Sequence, residues 1–201
     1  MQKYIYEFIG GVYVSNYIWE LGRKIVDELG RTVSQASESE EMALINKILE
    51  AKRIFLAGAG RSGLMARGFA MRLMHMGFTV YFAGEVVSPS IDKEDLLIIC
   101  SGSGATGSLV SMANKCKKIG AQLALVTIAA QSPIGNLADT VITIPAPTTK
   151  IEGGTGFTSI QPMGSLFEQS LLLVLDATIL KLMEIKQIDE QTMFARHANL
   201  E

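Results

Sequence analysis

Short apolar runs alternate along this chain with stretches in which apolar residues return every third or fourth position. The segment Ser37-Glu38-Ser39-Glu40 has the spacing of a capping box, and after it Met42, Ile45, Ile48 and Leu49 recur at helical spacing as far as Lys52. Residues 54–57 are apolar and break at Gly58; residues 62–76 suit a helix, with Gly77 placed to end it. Residues 79–82 read as a second strand and 96–100 as a third, with the polar stretch 88–95 between them. Helical spacing returns over 108–119, with Gly120 as a stop. Residues 122–127 then form a strand, Pro133 opens a short turn of helix, and 140–144 make a fifth strand that Pro145 and Pro147 end. A loop follows to Gln161, and Pro162, suited to a first helical position, leads into an apolar helix over 166–183.

This order, β-α-β-β-α-β-α-β-α, predicts an α/β fold: a five-stranded, mainly parallel sheet with helices on both faces, a three-layer α/β/α sandwich. Ligands of such sheets bind at the carboxyl ends of the strands. The reading divides the chain into an N-terminal helical segment (1–36), the sandwich (37–185) and a C-terminal tail (186–201). No internal repeat of fixed period and no low-complexity segment interrupts it.

Composition narrows the partners. With 201 residues, 48% of them hydrophobic and 19% charged, the chain is long enough for one domain with a full core. A net charge of −2 gives no electrostatic reason to expect nucleic acid or an anionic membrane. The longest apolar stretches, such as 171–175, are far shorter than the roughly 20 residues that cross a bilayer. The first residues lack the apolar core and small-residue cleavage site of a secretory signal, so a cytoplasmic location is expected. Two cysteines, Cys100 at the end of a strand and Cys116 in a helical pattern, read as buried free thiols.

The chemistry concentrates in two loops, Gly58-Ala59-Gly60-Arg61-Ser62-Gly63 and Ser101-Gly102-Ser103-Gly104-Ala105-Thr106. Each follows a strand and opens onto a helix. Bare amides and short hydroxyls at a helix N-terminus suit a phosphate, because orphan N–H groups and the helix dipole favour an anion there. Gly60, Arg61, Ser62, Ser101, Gly102, Ser103 and Thr106 are therefore the candidate phosphate-binding residues. The first loop is also a full GxGxxG, with Glu85 placed as a ribose-binding carboxylate would be, so a dinucleotide site is a rival. That pattern does not call for the second, serine-rich loop.

These two motifs, each in strand-loop-helix context, resemble the paired motifs of SIS (sugar isomerase) domains, a flavodoxin-like fold, over about residues 40–201. Within the family the chain is most similar to the 6-phospho-3-hexuloisomerases, because no regulatory domain is appended and the chain ends in Met193-Phe194-Ala195-Arg196-His197-Ala198-Asn199-Leu200-Glu201. The resemblance implies conversion of arabino-3-hexulose 6-phosphate to fructose 6-phosphate in the ribulose monophosphate pathway of formaldehyde fixation. It also implies a homotetramer whose sites lie near subunit contacts. Arabinose 5-phosphate isomerases carry a Glu where this chain has Ala105 and a His in the loop where it has residues 86–95, which argues against that substrate. A sugar-phosphate sensor of the same fold is the non-catalytic alternative, but the acidic N-terminal region shows no basic recognition helix.

Moving a carbonyl one carbon along a sugar requires a base that transfers a proton between carbons through an enediol or enediolate, and a second group for the hydroxyl protons. Glu152, in Lys150-Ile151-Glu152-Gly153-Gly154 after the fifth strand, is the expected base. His197, one of two histidines, is expected to open the ring or move oxygen-bound protons, as C-terminal histidines do in related isomerases, with a neighbouring subunit's site open to it. His75 reads as packing. Arg61 is expected to neutralise the phosphate, with Arg196 a weaker candidate, and Ser159 and Gln161 to hydrogen-bond the sugar. No cluster of His, Cys and acidic residues has metal-ligand spacing, so a reaction without metal or cofactor is expected.

Overall fold

The computed structural model describes residues 6–9, 12–15, 18–147 and 158–200. Strands β1 (Tyr6–Ile9) and β2 (Val12–Ser15) pair antiparallel, with Tyr6 opposite Ser15. The segment expected to be helical from the start thus opens as a two-stranded ribbon, and its helix, α1, covers only Ile18–Val33. Helix α2 (Glu38–Glu50) precedes β3 (Ile54–Gly58), α3 (Gly60–His75), β4 (Val80–Phe82), β5 (Leu96–Cys100), α4 (Gly107–Ile119), β6 (Gln122–Thr127) and β7 (Thr140–Thr143). Helices α5 (Ser165–Lys186) and α6 (Glu190–Phe194) complete the described elements.

The five strands after α2 lie in the order β4-β3-β5-β6-β7, every pair parallel. Successive strand residues face opposite layers, and here both layers are apolar. Ile54, Leu56, Leu96, Ile98, Ala124 and Val126 pack under α2, α3 and α5. Phe55, Ala57, Leu97, Ile99, Leu123 and Leu125 pack under α4 and Ile134. The strands therefore read as continuous apolar runs, the mark of a sheet covered on both sides.

The capping box forms only in part. Ser37 Oγ accepts from the Glu40 amide at 3.4 Å, but the Glu40 carboxylate turns to the Thr143 amide of β7 at 2.7 Å. An edge-strand donor is satisfied in place of the helix's own N-cap.

At the amino ends of the strands Arg53 grips the fully buried Asp95 side chain through Nε (3.0 Å) and Nη2 (2.6 Å). Burial alone would raise the Asp95 pKa; the guanidinium and the Asp92 amide outweigh it and hold the carboxyl below its usual range. The chemistry lies at the opposite, carboxyl end.

Candidate active site

From the interior strand β3 the chain runs to β4 on one side, then crosses back to β5 on the other. The switch point between β3 and β5 opens a crevice at their carboxyl ends, where doubly wound sheets bind ligands. Both serine loops leave from that crevice. Helix α3 starts at Gly60 with Ala59 as N-cap, and α4 at Gly107 with Thr106 as N-cap; no side chain caps either. The N-terminus of α5, with Gly164 at the cap, is likewise without a side-chain cap. All three ends line one cavity of about 400 Å³, through Ala59 to Ser62, Ser101 to Ser103 with Thr106, and Met163 to Ser165. Orphan first-turn amides and three dipoles directed at one cavity make an anion site.

Glycine is required where backbones meet. A Cβ on Gly63 would lie 2.5 Å from the Gly58 carbonyl oxygen, so α3 sits against the end of β3 only if that position is bare. Gly104 has φ +57°, and a Cβ there would lie 2.1 Å from Ser132 Oγ; its carbonyl accepts from Ile134 N at 3.0 Å. The Gly102 carbonyl receives Thr127 Oγ1 (3.0 Å) and Ile128 N (3.1 Å), which ties the second loop to β6. These contacts fix the second loop to the sheet.

Two charged side chains line the cavity among the described residues, Arg61 and Glu168. Arg61 Nε pairs with Glu168 Oε2 at 2.9 Å, and its Nη1 donates to Ser165 Oγ at 3.2 Å. The Glu168 side chain keeps only 18% of its surface exposed. Sequence reasoning missed Glu168, which sits inside an apolar helical run; its place in the first turn of α5, after a proline and a glycine, was the available signal.

The other expected site residues lie elsewhere. Glu152 falls outside the described residues. Ser159 and Gln161 do not line the cavity; Ser159 Oγ donates to Glu28 Oε2 at 2.7 Å and Gln161 Nε2 to the same oxygen at 3.0 Å. Their hydrogen bonds are already used within the protein. His197 lines a second cavity of about 490 Å³ with His75, Arg72 and Asp176, sharing no residue with the first. Its ring stacks on His75 (5.4 Å between centroids) and Phe194 (5.8 Å), while Arg196 Nη1 donates to the His75 carbonyl at 3.2 Å. The C-terminal segment is thus docked on its own subunit, with Arg196 as a clamp. Glu85 pairs with Arg67 of α3, which lies 3.8 Å over the Phe82 ring, so the carboxylate of the dinucleotide reading is already engaged by a guanidinium.

His75 is buried, and burial, then Arg72 and His197, hold it below its ordinary value of 6.5. Asp176 and Glu190 share the cavity. A depressed histidine stabilises the fold fully above about pH 6.5 and loses that contribution as pH falls, because the unfolded chain binds the proton more readily. We expect the melting temperature to drop between pH 7.5 and 5.5, and the drop to shrink in His75→Phe.

In the cradle, Ser62→Ala and Ser103→Ala should each weaken binding of inorganic phosphate about tenfold by calorimetry. A hydrogen bond to a charged acceptor contributes about 1.5–3 kcal/mol, and about 1.4 kcal/mol is a factor of ten. Unchanged affinity in both variants would remove the hydroxyls from phosphate recognition.

Fold and site together define an α/β protein with an anion cradle at the switch point of a parallel sheet. Residues 47–173 match the SIS domain, and the chain belongs to that family. It is 50% identical over 178 residues to the 3-hexulose-6-phosphate isomerase of Bacillus subtilis (strain 168), covering 89% of this chain and 96% of that protein. It is 42% identical over 175 residues to the enzyme of the same name from Mycobacterium gastri, covering 87% of each. Among solved structures, a hypothetical protein from Methanococcus jannaschii, whose crystal structure infers a function of 3-hexulose-6-phosphate isomerase, aligns with a TM-score of 0.78 at 35% identity. That alignment covers 90% of this chain and 99% of that one.

Proposed function

We propose that this chain is a phosphosugar isomerase that interconverts arabino-3-hexulose 6-phosphate and fructose 6-phosphate, the class of activity its relatives are named for. The observation that carries the reading is the convergence of three uncapped helix ends and their hydroxyls on a cavity whose one described carboxylate is Glu168. The helix ends and Ser62, Ser101, Ser103 and Thr106 hold the phosphate. Glu168 takes the proton from C2, which leaves an enediolate across C2 and C3, and returns it to C3 as the O2 proton passes to O3. Helix dipoles and Arg61 favour the negative charge while it exists.

The oxygen-bound proton needs a second group, and His197 suits it. Along α5, Glu168 and the second cavity's Asp176 are eight positions apart, roughly 12 Å at 1.5 Å per residue. On this reading His197 serves the site of a neighbouring subunit in a homotetramer whose sites lie at subunit contacts. Mixing inactive Glu168→Gln and His197→Ala proteins should restore activity in hybrid oligomers. On this reading the enzyme works in the cytoplasm, in the ribulose monophosphate pathway, without metal or organic cofactor.

The test is to incubate the purified protein, with chelator and no added cofactor, with enzymatically made 3-hexulose 6-phosphate and to follow fructose 6-phosphate through a coupled dehydrogenase. Rapid turnover is expected. No turnover, with arabinose 5-phosphate inert as well, would leave a phosphosugar-binding protein.

A further inference from the structure

Helix α1 lies outside the residues that match the SIS domain, yet one of its side chains reaches the segment that builds a wall of the cavity. Glu28 is only 3% exposed, and both of its oxygens are used. Oε1 accepts the Ile160 amide at 2.8 Å; Oε2 accepts Ser159 Oγ at 2.7 Å and Gln161 Nε2 at 3.0 Å. Gln161 passes the constraint on, since its Oε1 accepts Gln169 Nε2 at 2.7 Å on α5. Gln169 adjoins Glu168 in sequence, and the stretch between the two glutamines contains Met163, Gly164 and Ser165, which line the cavity.

We propose that Glu28 is a positioning residue for the isomerase site, its buried carboxylate fixing residues 159–161 and through Gln161 and Gln169 the first turn of α5 that presents Glu168. This rests on the reading of Glu168 as the base. Three donors converging on one buried side chain need an acceptor with two fully available oxygens, which a carboxylate supplies. Burial pushes the Glu28 pKa up, but the Ile160 amide and the Ser159 and Gln161 side chains outweigh it and keep the carboxylate charged at neutral pH. Met163 stands in the left-handed region at φ +53°, a conformation that persists in a non-glycine residue when its surroundings impose it. The second serine loop is tied to β6 and the Ser132 turn instead, and α3 packs on β3 at Gly63, so those two helix ends are held by contacts that do not involve Glu28.

The experiment compares Glu28→Ala in the parental and Glu168→Gln backgrounds, measuring kcat, KM for the hexulose phosphate, calorimetric affinity for inorganic phosphate, and melting temperature. Misplacement of a catalytic group by about 1 Å costs on the order of a hundredfold, so Glu28→Ala should lower kcat about 10- to 100-fold. Phosphate affinity should fall far less than kcat, by about threefold at most, because two of the three helix ends and the hydroxyls that hold the anion are untouched. Glu28→Ala should add nothing to the loss already caused by Glu168→Gln, since it acts through that residue. Parental kcat in Glu28→Ala, a fall in phosphate affinity parallel to kcat, or losses that multiply in the double variant would overturn the proposal. Should Glu28→Ala fail to fold, Gln169→Leu cuts only the last link, and an unchanged kcat there would overturn it equally. Parental turnover in Glu168→Gln removes the underlying reading and this one with it, whereas an inactive Glu168→Gln beside a fully active Glu28→Ala sinks only the positioning role.

Discussion

Glu168→Gln should lose about 10²- to 10⁴-fold in kcat on the hexulose phosphate while binding inorganic phosphate at least as tightly as the parent does. Glutamine keeps the shape and an oxygen for the Arg61 pairing, which the two residues make at 2.9 Å, but it cannot carry a proton between carbons. Phosphate affinity is the internal control, because the helix ends and serines that hold the anion are unchanged. Glu152→Gln is the companion variant, at the residue chosen from sequence. Turnover of the two variants assigns the base: an inactive Glu152→Gln beside an active Glu168→Gln would return the proton transfer to Glu152. Glu168→Gln should melt with the parent, since Glu168 lines the cavity rather than the core.

Gly63→Ala should destabilise the fold by about 1–3 kcal/mol, toward the upper end, and weaken phosphate binding at the same time. The added Cβ would stand 2.5 Å from the Gly58 oxygen and 2.8 Å from its carbonyl carbon, both backbone atoms at the end of β3 that no rotamer change can move. Relief requires α3 to slide away from β3, which carries the α3 amides and Ser62 out of register with the second loop. Stability by denaturant titration and phosphate affinity should therefore fall together. Gly68→Ala, on the same helix with open space around it, is the control and should be neutral or slightly stabilising. Loss of stability in Gly63→Ala with phosphate affinity intact would mean that the helix-strand contact supports the fold but does not set the cradle.

Much of the architecture follows from patterns within a few residues of one another. The strands β3, β5 and β6 announce themselves as unbroken apolar runs because both of their faces are covered, and Gly120 ends its helix in the left-handed conformation its position predicts, at φ +89°. The N-terminal ribbon was not legible, since a strand pair of four residues each carries too short an alternation to outweigh the helical spacing that follows. The capping box misled in one respect, because Glu40 found a better donor on β7, 103 positions away.

The sequence by itself determined the kind of site, through local chemistry: glycines that let backbones approach, hydroxyls beside bare amides, and two strand-to-helix turns that place them at the carboxyl edge. Only the tertiary structure decided which side chains share that space. Ser159 and Gln161 looked like sugar ligands yet serve Glu28, more than 130 positions earlier; His197 docks on His75 in another cavity; and Glu168 meets Arg61 across 107 positions. Spacing along the chain reports neighbours on one helix or one turn, where geometry is fixed by the backbone. A carboxylate and a guanidinium from separate helices meet only once the sheet has set how those helices lie, and that is a property of the packed core as a whole.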